Sequence, residues 1–416
     1  MSHDGAGPIP LLEPREGVPP VVETPQAFAE AIRRLAAATG PVAVDAERAS
    51  GYRYGHRAYL VQLRRRGAGT MIIDPVACPD LSELDDALMD TEAVLHAANQ
   101  DLPCLAELGF RPRRIFDTEL AGRLLGYQRV GLATMVETVL GVRLEKAHSA
   151  VDWSRRPLPA NWLRYAALDV ELLIELRDAL EEQLHATGKL AWSHEEFAAI
   201  AAAPPSAQRR DPWRRTSGIH RIRSRRALAG VRELWLARDR LARQRDLSPG
   251  RVLPDAAIIE AALAMPRSPG DLVRLPGFTG GAARNHVRLW FRALTRASKL
   301  PERALPELTL QSEGPPPANR WGDRDPVAAE RLAAARAVVA AIADEHEIPT
   351  ENLVQPDAIR RLVWSPSSEL SSEAVASELR NHGARPWQVR LVAIPLAKAL
   401  RRLEIRSKSS GPPTRN

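Results

Sequence analysis

At three points this 416-residue chain places acidic residues where they could do metal chemistry. Asp45 and Glu47 close the run VAVDAE, and on a strand that spacing sends both carboxylates to one face. The VAV before them suits a buried strand, so the pair emerges where a core strand ends. Two like charges that close repel unless a cation lies between them, and hard oxygen ligands suit Mg²⁺ or Mn²⁺ far better than zinc. Asp101 follows a second apolar run, Val94-Leu95-His96-Ala97, by way of Asn99 and Gln100. It could be a ligand there, or the N-cap of the helix that follows. His96 reads as a packed histidine or a support for a ligand, not as a ligand itself. In YAALDV (165–170), Tyr165 and Asp169 stand four apart and share a helix face. Asp169 could bind a metal while the Tyr165 hydroxyl orients the water that attacks a phosphodiester. The same spacing also suits an amphipathic helix with a tyrosine at its boundary.

The elements that must position these groups alternate. Thr24 reads as an N-cap with Pro25 at the first helical position, followed by Phe28, Ile32 and Leu35 at helical spacing. Strands are expected at 41–47, 59–65, 70–75 and 92–98, and helices at 82–90, 101–109, 116–126, 131–140 and 159–186. That order predicts an α/β layer structure with helices against a mixed sheet. Residues 1–19 are rich in Pro and Gly and read as a flexible arm.

Beyond residue 203 the composition changes. Residues 204–221 read as a basic linker and 301–326 as a second one, each followed by a helical region, with a flexible tail over 408–416. The helical regions, 222–300 and 327–407, look like a degenerate repeat. LSPGRVLPDA (247–256) and IPTENLVQPDA (348–358) match in environment, each after an amphipathic helix. The net charge of +7 is uneven: residues 1–205 hold 21 Lys/Arg against 29 Asp/Glu, and residues 206–300 hold 21 against 7. A basic block beside an acidic one suits a module that grips a polyanion, although arginine is favoured throughout this chain. Two cysteines cannot make a disulfide framework, no apolar run is long enough to cross a bilayer, and no secretory signal is present, so a cytoplasmic location is expected.

Taken together, VDAE (44–47), NQD (99–101) and YxxxD (165–169) have the order and context of a known set. The chain resembles the ribonuclease D family of the DEDD exonuclease superfamily, tyrosine subclass, over about residues 20–200. Further matches are DTELAGRLLG (117–126), GLATMVETVLG (131–141) and VDWSRRPL (151–158). Arg48 after Glu47, and Ala150-Val151 before Asp152, depart from the usual pattern without touching a ligand. The resemblance implies a ribonuclease H-like fold over 20–203 and a 3'-5' exoribonuclease releasing nucleoside 5'-monophosphates. Its metal ligands would be Asp45, Glu47, Asp101 and Asp169, holding two Mg²⁺ or Mn²⁺ ions, with Tyr165 assisting the water. Precursors of tRNA, or other structured RNA, would be the substrate.

The two helical regions resemble the HRDC domains shared by helicases and ribonuclease D, the second more loosely. In the first, Arg284, Arg288 and Arg292 recur at i+4 and would line one helix face, where they could neutralise RNA phosphates. Asn99 is a further candidate RNA contact. The Gly280-Gly281 loop could meet a phosphate or simply connect two helices. A DNA 3'-5' exonuclease and a non-catalytic nucleic-acid-binding protein are the alternatives. The complete acidic set disfavours the second.

Overall fold

Apolar β-branched runs and amphipathic helices alternate from residue 21 onward. In the computed structural model, which describes residues 7–144, 151–205, 210–309, 314–367 and 369–409, they form a layered α/β unit followed by two helical units. The α/β unit contains β1 (Ile9–Leu11), β2 (Val21–Val22), α1 (Pro25–Ala37), β3 (Val42–Arg48), β4 (Ala58–Arg65) and β5 (Gly69–Ile73). It continues with α2 (Ser82–Ala87), β6 (Glu92–Leu95), α3 (Leu102–Glu107), β7 (Arg114–Asp117), α4 (Thr118–Leu124), α5 (Leu132–Leu140) and β8 (Val142–Leu144). Three helices close it: α6 (Ala160–Glu171), α7 (Leu173–Ala186) and α8 (Leu190–Ala201).

The main sheet has the order β2-β5-β4-β3-β6-β7, with β3, β4 and β5 antiparallel and the outer pairings parallel. Side chains alternate between its faces. Val44, Ala46, Val61 and Leu63 enter the main core, to which α1 contributes Phe28, Ala31 and Leu35. On the opposite face Leu60 and Ile72 pack against Ala166 and Ala167 of α6. The helix carrying Tyr165 and Asp169 thus lies over the face to which Asp45 and Glu47 point.

The first helical unit comprises α9 (Arg225–Arg245), α10 (Pro249–Val252), α11 (Asp255–Ala264), α12 (Pro269–Val273), α13 (Gly281–Arg284) and α14 (Val287–Lys299). The second comprises α15 (Trp321–Arg324), α16 (Pro326–Glu345), α17 (Thr350–Leu353), α18 (Pro356–Trp364), α19 (Ser372–Asn381) and α20 (Pro386–Ser409). From α9 and from α16 a similar succession follows: a long helix, a single turn, a medium helix, further helical structure and a closing helix. The first unit has a core of its own around Leu234, Ile258, Phe278 and Trp290. The second shares the core of the α/β unit through Trp387, whose indole stacks on Trp192 with centroids 4.7 Å apart.

The expected architecture is present, with local differences. Residues 9–11, read as part of a flexible arm, form β1 and pair in parallel with β8. Residues 114–117 form the edge strand β7 ahead of a helix that starts only at Thr118, because Asp117 caps it, accepting from the Glu119 and Leu120 N–H groups. The long helix expected over 159–186 is two helices, since Leu172 adopts a non-helical conformation (φ −115°, ψ 6°) between them. From Asp211 on, the basic linker is packed: Trp213 is buried in the first helical unit and Arg214 lies over its ring at 4.4 Å. Trp321, in the second linker, is fully buried. The tail is helical as far as Ser409. Residues 1–6, Ala150 and residues 410–416 lie outside the described residues. Among the described residues no helix is long and apolar enough to cross a membrane.

Candidate active site

Carboxylate oxygens of Asp45, Glu47 and Asp169 all lie within 4.8 Å of one another. Two elements far apart in the chain achieve this. The pleat of β3 aims Asp45 and Glu47 at one face, and α6 crosses above that face with Asp169 one turn beyond Tyr165. The Tyr165 hydroxyl hydrogen-bonds the Asp169 carboxylate, and its ring packs against Trp153 with centroids 6.4 Å apart. Trp153 is itself held by its neighbour Arg156, which donates to both oxygens of buried Asp74 at 2.6 and 2.7 Å, and to the carbonyls of Trp153 and Tyr59.

Asp101 sits outside the tight triplet but within its field. It occupies the N-cap position of α3, yet its side chain makes no capping hydrogen bond, so the capping role that the sequence left open is not used. The carboxylate instead meets Arg48 Nη2 at 3.7 Å, and the same guanidinium donates to Gln100 Oε1 at 3.5 Å. The turn leading to Asp101 is held by Asp117, which is buried and accepts from the backbone N–H groups of Ala97 and Ala98 at 3.0 and 2.9 Å. Ala97 is thereby kept at a φ of 63°, a left-handed conformation uncommon for a residue with a side chain. His96 bonds Thr118 Oγ1 at 2.9 Å, and burial lowers its pKa to about 4, so it is a packed neutral imidazole away from the cluster.

The electrostatics follow from crowding. Burial, then repulsion from Asp45, Asp169 and Asp101, pushes the Glu47 carboxyl up to about 10. Burial and Asp45 push Asp101 up to about 8 against the opposing pull of Arg48. Asp45 and Asp169 are raised mainly by burial, and the Tyr165 hydroxyl is raised by burial and by Asp169. Acids this close together hold protons unless a divalent cation replaces them. An all-oxygen donor set of this kind fits a hard divalent cation.

The candidate RNA contacts are more dispersed. Arg288 and Arg292 are exposed on α14, one turn apart. Arg284 does not continue their line, because it ends the short α13 and the chain breaks at Asn285-His286 before α14 begins. Arg296 extends the row, but its charge is paired with Glu233 at 3.3 Å. Asn99 is exposed in the turn before Asp101. Sequence reading assigned no role to Asp117, Asp74 or Arg156. The signals were Asp117 directly before Thr118-Glu119, a helix-start pattern, and the place of Asp117 and Arg156 within the DTELAGRLLG and VDWSRRPL segments.

Comparison with known proteins agrees with this layout. A 3'-5' exonuclease family model matches residues 19–185, an HRDC domain model residues 227–294, and a 3' to 5' exonuclease C-terminal domain model residues 314–400. A ribonuclease D of Acidiphilium cryptum is 32% identical over 350 residues, covering 82% of this chain and 87% of the relative. A crystal structure of a Bifidobacterium adolescentis protein superposes with a TM-score of 0.87 at 38% identity, covering 95% of this chain and all of that one. The crystal structure of Escherichia coli RNase D, described as an exoribonuclease involved in structured RNA processing, gives 0.68 at 27% identity, covering 92% of this chain and 98% of that one. The protein therefore belongs to the ribonuclease D family and is a 3'-5' exoribonuclease.

Proposed function

We propose that this exoribonuclease trims the 3' ends of structured RNA, tRNA precursors among them, in the cytoplasm, at a centre formed by Asp45, Glu47, Asp101, Asp169 and Tyr165. The observation that carries the assignment is the convergence of the Asp45, Glu47 and Asp169 oxygens within 4.8 Å. Asp101, outside that triplet but close enough to raise the Glu47 carboxyl, completes the set. When bound, two divalent ions, Mg²⁺ or Mn²⁺, would stabilise the attacking and leaving oxygens of an in-line displacement.

The remaining work falls to the chain. Asp45 and Glu47 on the rigid centre of the sheet and Asp169 on α6 keep their oxygens at fixed separations, so little reorganisation is left for the moment of reaction. Tyr165, hydrogen-bonded to Asp169, orients the water in line with the scissile phosphorus. Arg48 stands beside Asp101, where a cation can also meet the phosphate being cleaved. A single-stranded 3' end must thread to this site while the duplex body is held elsewhere, and exposed Arg288 and Arg292 on α14 suit that grip, with Asn99 near the cleft. The E. coli relative's described role in structured RNA processing supports the same substrate class.

The test is to incubate 3'-labelled RNA and DNA oligonucleotides with Mg²⁺, Mn²⁺ or EDTA and follow mononucleotide release. RNA should release labelled mononucleotide with either metal and none in EDTA. Equal release from DNA would remove the RNA preference, and release in EDTA would remove the metal centre.

A further inference from the structure

Gln62 lies in the middle of β4 with no surface exposure, and among the described residues neither its Oε1 nor its Nε2 has a hydrogen-bond partner. A buried carboxamide left unsatisfied costs free energy that an apolar residue in the same strand would not. The position of Gln62 suggests what that cost supports. Its partner across the ladder on β3 is Asp45, and on β5 it is Ile72. Residues opposed in an antiparallel ladder share a face. Here that is the face where Leu60 and Ile72 meet α6, the helix bearing Tyr165 and Asp169. Gln62 therefore stands beside Asp45 and beneath α6, behind the acidic cluster as seen from solvent. Two residues further along β4, Arg64 reaches Glu171 at the end of α6, at 3.4 Å, so polar groups interrupt the apolar contact between strand and helix on this face.

We propose that Gln62 is the positioning residue for Asp45: its side-chain N–H donates to the Asp45 carboxylate when a divalent cation engages the other side of that group. A carboxylate has about four lone-pair directions, of which a cation uses one or two. A neutral donor behind it fixes the rest without competing for the ion, as a lysine or arginine at position 62 would. Outer partners of this kind orient a ligand and tune the metal, and their loss costs about 10- to 100-fold in metal affinity.

The inference rests on the acidic cluster being a divalent-cation site, and the experiment separates the two. Mn²⁺ binding to the full-length protein is measured by electron paramagnetic resonance for the wild type, Asp45→Asn and Gln62→Met, with melting temperatures taken in EDTA. Methionine keeps the length of the side chain and removes both polar atoms; Gln62→Leu goes through the same measurements as a second variant. The expected result is a Gln62→Met protein that melts in EDTA no lower than the wild type, yet binds Mn²⁺ about 10-fold or more weakly. On RNA its kcat falls at fixed metal while KM is unchanged. If wild-type binding is indifferent to Asp45→Asn, the cation-site reading itself fails. If the wild type binds and both Gln62 variants bind equally well, only the role of Gln62 is overturned. It is overturned too if both variants lose stability in EDTA, since Gln62 would then serve the fold.

Discussion

Glu47, in the proposed centre, illustrates how a buried acidic cluster burdens the fold that holds it. Its carboxyl, ordinarily near 4.5, is pushed up to about 10, and that of Asp101 from 3.8 to about 8. The folded state therefore holds protons on these two groups that the unfolded chain releases, so the stability they contribute is fully present below about pH 4 and is lost as pH rises through 8 and 10. In EDTA the melting temperature should fall between pH 5 and 9, and Glu47→Gln should flatten part of that fall; a wild-type profile flat across this range would show the acids ionise without cost. Asp169→Asn should keep the fold, melting no lower than wild type in EDTA. It should also lower RNA turnover by roughly a thousandfold or more, equivalent to about 4 kcal/mol of barrier. Near-normal turnover by this variant would remove Asp169 from the chemistry. The i, i+2 and i, i+4 spacings of these residues were legible in the sequence, because strand and helix periods alone decide which side chains share a face. Their close approach was not, since it depends on α6 crossing β3.

Asp117 plays the corresponding part at the level of elements. It ends β7, caps α4 and holds the Ala97-Ala98 turn that leads to Asp101. Asp117→Ala leaves buried N–H groups without acceptors, and a loss of about 2–4 kcal/mol is expected in urea unfolding. In the residual folded protein kcat should also drop, since Asp101 is no longer aimed; unchanged kcat would mean the turn holds itself. The strand that carries Asp117 went unread because four residues, RIFD, run directly into a helix start, and the helical pattern dominates so short a window. Likewise the row Arg284, Arg288 and Arg292 suits one helix by spacing alone. The break at Asn285-His286 carries no proline and no strong local signal.

At the scale of the molecule, both helical units hold on to the α/β unit, by different means. The loop after β3 meets the first helical unit through polar contacts: Tyr54 donates to Asp239 at 2.9 Å, the Ser248 N–H to the Tyr52 carbonyl at 2.9 Å, and Arg251 to the Gly51 carbonyl at 2.8 Å. That loop follows Glu47 and Arg48 directly, so the basic unit is moored beside the acidic cluster. The second helical unit is joined through the Trp192–Trp387 stack and Lys189, which donates to the Leu124 and His346 carbonyls at 2.9 and 2.6 Å. If Arg288 and Arg292 grip the RNA body, replacing both with Gln should weaken binding of a structured RNA at low salt. It should lower the slope of log affinity against log salt by about 2, leaving kcat on a short single strand unchanged. An unaltered slope would place the grip on another face.

By itself, the amino-acid sequence determined the layered α/β unit, the helical units after it, and the identity of the acids and tyrosine that could do phosphodiester chemistry. Those features are written in periodicity, residue type and order along the chain. Only the tertiary structure decided that Asp101 does not cap its helix, that Asp117 holds the Ala97-Ala98 turn and Arg156 the Trp153 carbonyl, and that Gln62 is buried opposite Asp45 across the ladder. Each of these depends on which distant segment supplies a neighbour, and a hydrogen bond or a desolvation cost exists only once that neighbour is in place.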